Sequence, residues 1–454
     1  PADAGRLQDF HRALSPETIY FRFFAPYPEL TERDLHRFTH MDHLDRVGLV
    51  ATVGDEIVGV GRYDRVSPAE AEVAFTVRDD NQGRGLGSVL LEHVAAAARE
   101  SGVERFIAET LPNNRAMQRT FQMAGYKVAQ EFEDGVVRLA FDIELTDRQR
   151  AVARARAARA EARSVERLFS PSSIAVVGAS RTRQSVGREL LAGLASGGFT
   201  GRLFAVHPSA EEIEGARAYR RVSEAPGPID LAILAVPAEV VPSVIEDCAE
   251  AGVHGLLVVS SGFAEAGAEG AKAQRELVSM VRAYGMRMVG PNALGIVNTD
   301  SRVRLNAAVT TAAPLRGRTA LFSQSASAGS ALLDRARARE LGLSSFISVG
   351  NRADVSSADV LQYWSSDPAT RVIGMYLEGI ESPRKFIRLA RDLGRRTPIV
   401  ALRAGRTSRA YPLGPRVRRT TLPSWGVDQV MAQAGIIETD SMTQLLDVTT
   451  CLSC

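Results

Sequence analysis

Residues 71–88 read AEVAFTVRDDNQGRGLGS, and this stretch decides the fold of the amino-terminal part of the chain. We predict a strand at Glu72–Val77 and a helix at Gly87–Arg99, where apolar residues have helical spacing and alanine is frequent. The turn Gln82–Gly87 lies between them. Its glycines let the backbone approach a ligand closely, and the helix start offers unpaired N–H groups and the positive end of a dipole. The stretch therefore predicts a strand, a turn that can bind a pyrophosphate, and a helix.

The spacing of the glycines in this turn differs from that of a dinucleotide-binding turn. It reads Q-x-x-G-x-G and not the dinucleotide-binding pattern G-x-G-x-x-G, and Arg84 could add a charge-assisted contact. A glycine-rich turn alone is weak evidence, because many such turns bind nothing. Glu72, on the preceding strand, adds a carboxylate to the pattern.

The flanking residues complete an α/β unit that we place at residues 1–145. The alternating segments Leu49–Val53 and Ile57–Tyr63 predict a β-hairpin. Arg105–Thr110 is strand-like, and Asn114–Met123 has helical spacing.

Several segments of this unit resemble the GNAT acyltransferase superfamily. They are AEVAF (71–75), QGRGLG (82–87), Asn114-Arg-Ala-Met117 and Ala124-Gly-Tyr126. The resemblance covers nearly all of residues 1–145 and implies the GNAT fold, with acetyl-CoA as donor and its pyrophosphate on the 82–87 loop. The positions expected to bind acetyl-CoA are Val77, Gln82, Gly83, Arg84, Gly85, Leu86, Gly87, Ser88 and Asn114.

Glu72 matches the general base of that family. A lysine amine, with a pKa of about 10.4, is almost entirely an ammonium ion at neutral pH and must lose a proton before it attacks a thioester. A carboxylate near the acyl carbon can accept that proton directly or through water. Glu70 lies on the same strand face and is the second candidate, and both residues could instead be solvated acids.

Two further positions keep alternatives open. Asn114 matches a residue that contacts the CoA arm in relatives, and it could also cap the following helix. Many relatives carry a tyrosine that protonates the leaving thiolate. Here that position is Phe121, so the sequence offers no dedicated acid and water would supply the proton.

Two other segments are interpreted as structural. Residues 146–167 are rich in arginine and alanine and predict a helical linker with little surface to bury. His36, His40 and His43 are spaced to share one helix face. No further ligand completes a metal site, so we expect a solvated face and no metal.

The rest of the chain repeats a strand–helix–strand rhythm that is typical of doubly wound parallel sheets, and we divide it into residues 168–300 and 301–454. The predicted strands are Ser173–Val177, Leu203–His207, Asp230–Val236, Gly255–Val259, Arg287–Gly290, Gly317–Phe322, Leu343–Val349, Val372–Leu377 and Pro398–Arg403. Turns at Gly178–Ser180, Ser260–Glu265 and Gly290–Gly295 follow three of them, at strand ends where such sheets bind ligands.

These turns resemble the Rossmann-like CoA-binding domain of ADP-forming acyl-CoA synthetases. The resemblance continues through Ser323-Gln-Ser325, Ser348–Asp354 and Ala404–Thr407 into a flavodoxin-like domain of the succinyl-CoA synthetase type. Contacts to CoA are implied at Gly178, Ala179, Ser180, Ser260, Gly262, Pro291 and Asn292. The second strand lacks the acidic residue that holds an NAD ribose, so NAD binding is not expected.

The synthetase-like region departs from the family at its catalytic centre. Active members pass a phosphoryl group through a histidine, but the corresponding stretch here is Pro415–Thr421, and no histidine follows His254. Arginine cannot replace an imidazole as a phosphoryl carrier. Glu378 matches the glutamate that orients this histidine, Ala326 replaces a glycine, and His207 replaces an asparagine. We expect a region that binds CoA without phosphoryl transfer, or else a structural relic.

Composition excludes several classes of protein. The 454 residues are 45% hydrophobic and 24% charged with a net charge of +2, which gives no signal of nucleic-acid binding. No apolar run is long enough to span a membrane, and three cysteines are too few for a disulfide framework. We expect a cytoplasmic protein. Because the chain begins without Met and ends within a helical pattern, we also expect a piece of a longer polypeptide.

Together the domains resemble the bacterial Pat-type protein lysine acetyltransferases, although the GNAT domain comes first here. The resemblance implies acetyl transfer from acetyl-CoA to a lysine of a protein partner, an acyl-CoA synthetase, with the synthetase-like region sensing acetyl-CoA. The alternatives are a component of an ADP-forming acetate–CoA ligase and an acetyl-CoA sensor without turnover. The sequence leaves open the acceptor, the acyl preference and whether the chain forms a homo-oligomer.

Overall fold

The structure, a computed structural model, describes residues 2–133, 135–144, 146–180, 185–310, 313–404 and 424–453. The chain divides into two compact units, Pro1–Ala157 and Ala158–Cys454, which are described separately. Three mixed sheets follow one another along the chain, and each is combined with helices, which confirms the predicted α/β class. The two sheets of the second unit were predicted to be parallel, but each includes an antiparallel pair.

A six-stranded sheet forms the centre of the first unit. Its strands are β1 (Arg46–Val53), β2 (Glu56–Arg65), β3 (Glu70–Val77), β4 (Arg105–Thr110), β5 (Ala129–Glu133) and β6 (Val136–Asp142). Their order is β1-β2-β3-β4-β6-β5, and only β3 and β4 run parallel. The predicted hairpin is confirmed as β1 and β2.

Helices cover both faces of this sheet. They are α1 (Ala4–Arg12), α2 (Pro16–Phe23), α3 (Glu32–Thr39), α4 (Leu86–Glu100) and α5 (Arg115–Met123). Leu91 and Val94 of α4 pack against Ala71 and Val73 of β3. Because side chains alternate along a strand, Glu72 projects from the opposite face, the face that α1–α3 cover.

The predicted linker forms helix α6 (Asp147–Phe169). The expectation that it has little to bury is wrong at its carboxyl end. Val165, inside the predicted linker, is fully buried in the main core of the second unit, as are Leu168 and Phe169 directly after the linker. Alanine and arginine favour the helix, but these three large apolar residues attach its last turns to that core.

The second unit begins with a seven-stranded sheet of order β13-β12-β11-β7-β8-β10-β9. Its elements are β7 (Ser173–Val177), α7 (Val186–Ser196), β8 (Arg202–Val206), β9 (Glu212–Ile213), β10 (Ala216–Tyr219), β11 (Leu231–Leu234), α8 (Val241–Glu250), β12 (Gly255–Val258), α9 (Ala268–Ala283) and β13 (Arg287–Val289). The five strands from β13 to β8 are parallel and bury apolar side chains on both faces, which explains their continuous apolar runs.

A second seven-stranded sheet, of order β15-β14-β17-β16-β18-β19-β20, completes this unit. Its elements are β14 (Gly295–Asn298), β15 (Leu305–Ala308), β16 (Arg316–Ser323), α10 (Ala326–Ala338), β17 (Leu343–Ser348), α11 (Ser357–Trp364), β18 (Val372–Leu377), α12 (Pro383–Gly394), β19 (Ile399–Arg403), α13 (Ser424–Ala434), β20 (Ile437–Thr439) and α14 (Met442–Ser453). Strand β14 precedes the expected boundary at residue 300, yet it pairs in this sheet, antiparallel to β15 and β17.

Asp247 of α8 holds the segment after β10 in place through hydrogen bonds. Its buried carboxylate accepts hydrogen bonds from Val222 N at 2.7 Å and from the Ser223 hydroxyl at 2.6 Å. We expect Asp247→Ala to lower the free energy of unfolding of this unit by about 1–3 kcal/mol, because the Val222 N–H is left buried without an acceptor. Urea unfolding of the intact chain measures this loss.

The matched control is Glu250→Ala, on the same helix. Glu250 is exposed and pairs only with the exposed guanidinium of Arg221 among the described residues, so its loss should cost less than about 1 kcal/mol. Equal effects of the two substitutions would contradict the structural role of Asp247.

Candidate functional site

The first unit contains a gap between two neighbouring strands. Strands β3 and β4 pair only at Glu70, Ala71 and Glu72, opposite Arg105, Phe106 and Ile107. Beyond this point β3 continues to pair with β2, and β4 with β6, so only their shared edge opens. The opened edge leaves backbone N–H and C=O groups that an amide-bearing ligand can pair with.

The glycine-rich turn lies at the carboxyl end of β3. Gly83 and Gly85 have φ angles of +73° and +87°, and a Cβ atom on either would meet nothing within 4 Å. Glycine is therefore needed for the backbone conformation, and the space in front of the turn is open. Gly85 is the N-cap of α4 and supplies no side-chain cap, so the first N–H groups of the helix face that space. An anion fits this concavity.

The sequence-predicted residues around the turn have distinct places. Gln82, Gly83 and Arg84 are exposed, and Leu86, Gly87 and Ser88 form the first turn of α4. Gln82 holds the turn against the end of β3, because its Nε2 donates to the carbonyl of Val77 at 3.0 Å. Val77 and Gln82 therefore shape the concavity.

Asp79 connects this turn to the amino-terminal helices. Its carboxylate accepts from Ser15 N at 2.8 Å, from the Ser15 hydroxyl at 2.8 Å and from the Thr18 hydroxyl at 2.7 Å, at the start of α2. Partial desolvation would raise the pKa of Asp79, but these hydrogen bonds hold it below its ordinary value. Sequence reasoning missed this contact.

The lowered pKa of Asp79 predicts a pH-dependent attachment of α2. The ionised form is favoured in the folded state, so the contribution is present above the ordinary pKa of about 3.9 and is lost as pH falls through the lower folded value. We expect Asp79→Asn to increase amide hydrogen exchange across residues 15–23 near pH 7. The difference from wild type should shrink as pH falls below about 4.

Hydrogen-exchange mass spectrometry at matched pH measures this, with Asp80→Asn as the control. Asp80 is the neighbouring carboxylate, but it pairs with Arg78 and not with α2. Unchanged exchange in Asp79→Asn at neutral pH would show that the contact does not hold α2.

The two candidate acids differ in their partners. Glu70 lies 3.8 Å from the guanidinium of Arg105. Glu72 is exposed, and its carboxylate has no hydrogen-bond or ion-pair partner in the described parts of the chain. It is the last position of β3 that pairs with β4, next to the point where the gap opens, and it lies on the sheet face opposite α4. A donor entering through the gap from the α4 side would therefore meet a carboxylate on the other face.

The other side of the gap is formed by β4 and the segment that follows it, which include Thr110, Asn114 and Phe121. Asn114 caps α5, because its Oδ1 accepts from Met117 N at 3.1 Å, so the capping role is confirmed and the amide nitrogen is left for a ligand. Phe121 is fully buried and packs against Phe75 and Phe141. The hydroxyl of Thr110, at the end of β4, is buried without a hydrogen-bond partner in the described structure.

The second unit brings its predicted turns to one edge of the middle sheet. Gly178–Ser180 follow β7, Ser260 and Gly262 follow β12, and Pro291 and Asn292 follow β13. Gly178 has φ +89°, and a Cβ there would lie 2.3 Å from the carbonyl oxygen of Ala235, so only glycine fits. The order in which strands join the sheet switches at β7, with β8 on one side of it and β11 on the other. Such folds bind ligands at this switch point.

Some predicted ligand groups are engaged within the protein. The hydroxyl of Ser260 bonds to Leu234 O and Val236 N, both at 3.3 Å, and Gly262 N donates to Glu265 at 2.6 Å. Burial would raise the pKa of Glu265, but hydrogen bonds from Asn351 Nδ2 and from backbone amides lower it overall. Ser260 and Gly262 thus shape the turns.

His207 makes the backbone contacts that an asparagine side chain could make at this position. Its Nδ1 accepts hydrogen bonds from Ser209 N at 3.2 Å and from Ala210 N at 3.0 Å, as a carboxamide oxygen would. The turn after β8 is therefore kept.

The phosphoryl-transfer centre expected in active synthetases is described only in part. Gln324 Oε1 accepts from Glu378 N, Gly379 N and the buried Arg352, which fixes the turn after β18. Burial raises the pKa of the Glu378 carboxyl group, although Arg352 opposes this. Residues 405–423, which include most of the Ala404–Thr407 motif and all of Pro415–Thr421, lie outside the described residues.

The histidines near the amino terminus do not share one helix face. His36 lies in α3, His40 caps it, and His43 follows with a φ of 60°. The rings of His36 and His40 stack at 3.9 Å. Within the described ranges, no three His, Cys, Asp or Glu side chains form a group that could hold a metal ion.

Family models match all three domains. The acetyltransferase (GNAT) family matches residues 8–126, a CoA-binding domain matches 172–299, and a succinyl-CoA ligase-like flavodoxin domain matches 316–452. The GNAT and CoA-binding domains imply the use of an acyl-CoA. No helix in the described ranges has the length and apolar character needed to cross a membrane.

Individual proteins resemble different parts of the chain. The ADP-forming acetate–CoA ligase I of Archaeoglobus fulgidus is 39% identical over 62% of this chain and 41% of its own length. Acetyltransferase Pat of Mycolicibacterium smegmatis is 34% identical over 32% of this chain and 45% of its own length. The chain thus spans less than half of each relative.

A solved structure supports the synthetase-like fold. Acetyl-coenzyme A synthetase 1 of Ca. Korarchaeum cryptofilum, in complex with phosphate and ADP, is 38% identical with a TM-score of 0.60. The match covers 64% of this chain and 62% of that chain.

Proposed function

We propose that this chain, a GNAT-family acetyltransferase domain joined to CoA-binding and flavodoxin-like domains of the ADP-forming acyl-CoA synthetase type, transfers the acetyl group of acetyl-CoA to a protein lysine. Three features together carry the proposal. They are the glycine cradle, which is the turn Gln82–Gly87 with the first N–H groups of α4, the open β3–β4 edge, and the unpaired Glu72 carboxylate. The acceptor we propose is the catalytic lysine of an AMP-forming acyl-CoA synthetase.

Each part of the site has a physical task in this proposal. The N–H groups of Leu86–Ser88 and the guanidinium of Arg84 bind the pyrophosphate, with Asn114 near the CoA arm. The open edge of β3 and β4 receives the arm and directs the thioester towards Glu72. Buried Thr110, with its unpaired hydroxyl, is a further polar group near this path.

The chemistry is a direct displacement. Glu72 accepts a proton from the lysine ammonium, and the neutral amine attacks the carbonyl carbon of the thioester. The resulting tetrahedral adduct gives the second proton of its nitrogen to water, the carbon–sulfur bond breaks, and CoA leaves as a thiolate. The thiolate then takes a proton from water, because Phe121 offers none. Holding the two reactants together supplies much of the acceleration.

The synthetase-like unit is proposed to bind acetyl-CoA without phosphoryl transfer. Gly178–Ser180, Ser260–Gly262 and Pro291–Asn292 surround the edge at which CoA would bind. The likeness to ADP-forming ligases favours a second candidate, a ligase component, but the sequence has no histidine after His254 to carry phosphate.

The proposal is tested with radiolabelled acetyl-CoA and a purified AMP-forming acyl-CoA synthetase. Label should enter the acceptor, and an acceptor whose catalytic lysine is replaced by arginine should stay unlabelled. Binding of CoA without any transfer would favour the sensor instead. Acid-labile phosphate on this chain after incubation with labelled ATP would favour the ligase.

A further inference from the structure

A cavity of about 290 Å³ lies on the sheet face that carries Glu72, beneath α1–α3. Apolar side chains form most of its wall. Ala74 and Thr76, the next two side chains of β3 on the same face as Glu72, also line it. The cavity therefore adjoins the position from which an acceptor would reach the proposed base.

Among the residues that line this cavity, Arg22 and Arg62 carry positive charge and Asp3 carries a carboxylate, which pairs with Arg6 at 2.6 Å. Arg62 of β2 lies opposite Ala74, and its guanidinium stacks on the ring of Phe38 at 3.9 Å. The side chain is only 17% exposed, and its Nε is buried without a hydrogen-bond partner. Arg22 of α2 also lines the cavity and has no hydrogen bond or ion pair to other described residues. Both can still bind an acceptor group.

The neighbouring carboxylates do not neutralise these arginines fully. Asp64, directly opposite Glu72 in the β2–β3 register, lies 3.7 Å from Arg62 and is shared with Arg37 at 3.3 Å. Burial lowers the pKa of Arg62 to about 9, which still leaves it a cation at neutral pH. Burial also lowers the pKa of Arg22, although Glu72 and Asp64 oppose this.

Charge complementarity then identifies the occupant. A lysine approaching Glu72 brings a positive charge close to Arg22 and Arg62, and to Arg37 just outside the cavity lining. The carboxylates that interact with these guanidinium groups are Glu72 and Asp64. An acidic side chain beside that lysine would offset the repulsion and could pair with partly dehydrated guanidinium groups, which bind carboxylates strongly. The partner chemistry favoured by this wall is therefore an anionic side chain close to the acceptor lysine.

We propose that the cavity selects acceptor proteins by binding an Asp or Glu side chain within two residues of the target lysine, through Arg62 and Arg22. The inference rests on the proposed lysine acetyltransfer. Arg62 and Glu72 are diagonal neighbours on adjacent strands, about 7–8 Å apart at their backbones. An extended acceptor chain advances about 3.3–3.6 Å per residue. The acidic residue is therefore limited to the two positions on either side of the target lysine.

A peptide panel tests the inference. The parent peptide contains a single lysine flanked by two glutamines on each side, and four variants each carry one glutamate in place of a glutamine. At least one glutamate peptide should show roughly tenfold higher kcat/KM, because a hydrogen bond between a carboxylate and a guanidinium group is stronger than one to the neutral glutamine amide. Arg62→Gln and Arg22→Gln should reduce that preference, whereas Arg12→Gln, at an exposed pair with Glu29, should keep it.

The outcomes separate the two proposals. Equal rates on all peptides, or an undiminished preference in both cavity variants, would overturn the inference and leave acetyl transfer intact. Acetylation of no peptide by the wild-type chain would contradict the proposed function and the inference with it. An unchanged KM for acetyl-CoA in the cavity variants shows that they retain the folded donor site.

Discussion

Glu72→Gln is expected to lower kcat for acetyl transfer by about 10²–10⁴, the range over which a positioned general base contributes. The amide has nearly the shape of the carboxylate but cannot accept the ammonium proton. Glu72 is exposed and unpaired among the described residues, so its replacement should leave the fold and the KM for acetyl-CoA unchanged. Steady-state rates with a lysine-containing acceptor measure the effect.

The pH dependence distinguishes loss of a base from a general disturbance. Without Glu72, only acceptor lysine that is already neutral can react. The residual rate should therefore keep rising with pH towards the lysine pKa of about 10.4. Glu70→Gln is the matched control, because Glu70 shares the strand face but faces Arg105. Wild-type activity in Glu72→Gln, or a larger loss in Glu70→Gln, would remove Glu72 from the proposed role.

Gly85→Ala is expected to raise the KM for acetyl-CoA by about 10- to 100-fold, which corresponds to the loss of one hydrogen bond to a charged group. The new methyl group meets no protein atom within 4 Å but enters the open space of the cradle. The positive φ of +87° also disfavours alanine and would tend to move the N–H groups from their positions.

Gly102→Ala, just beyond the carboxyl end of α4, controls for the strain. Gly102 has a similar φ of +81° and equally open surroundings, but it is remote from the cradle. This variant should lose similar stability while keeping the wild-type KM. If the two variants changed KM equally, the cradle would not be the pyrophosphate site.

The donor side of the candidate site could be predicted because its signals are local. The strand, the glycine turn and the helix of residues 71–100 follow one another directly, and the structure forms them as β3, the cradle and α4. The role of Asn114 as a helix cap was also among the stated alternatives, since capping depends on the next few residues only.

The acceptor side could not be predicted because it depends on packing between distant segments. Arg22 and Arg62 meet at one cavity only after α1–α3 fold over the sheet. Local signals for two of these helices were present but not used: Ser15 before Pro16, and a capping box at Thr31 and Asp34. The opening between β3 and β4 has no local signal.

In the second unit, too, local features could be predicted from the sequence, whereas contacts between distant segments could not. Its apolar strands were predictable from composition, but β14 joins the third sheet by antiparallel pairing with distant β17, which no local pattern specifies. Likewise, Ser260 and Gly262 were identified from their position at a strand end. Their internal bonds to Leu234, Val236 and Glu265 became evident only in three dimensions.

The central claim is that this chain places an acetyl group on a protein lysine with Glu72 as the base. Intact-protein and peptide mass spectrometry of a purified AMP-forming acyl-CoA synthetase, after incubation with acetyl-CoA and this chain, tests it most directly. We predict the mass of one added acetyl group, located on the catalytic lysine, with wild type but not with Glu72→Gln. An acceptor that stays unmodified while the wild-type chain binds acetyl-CoA would contradict the account.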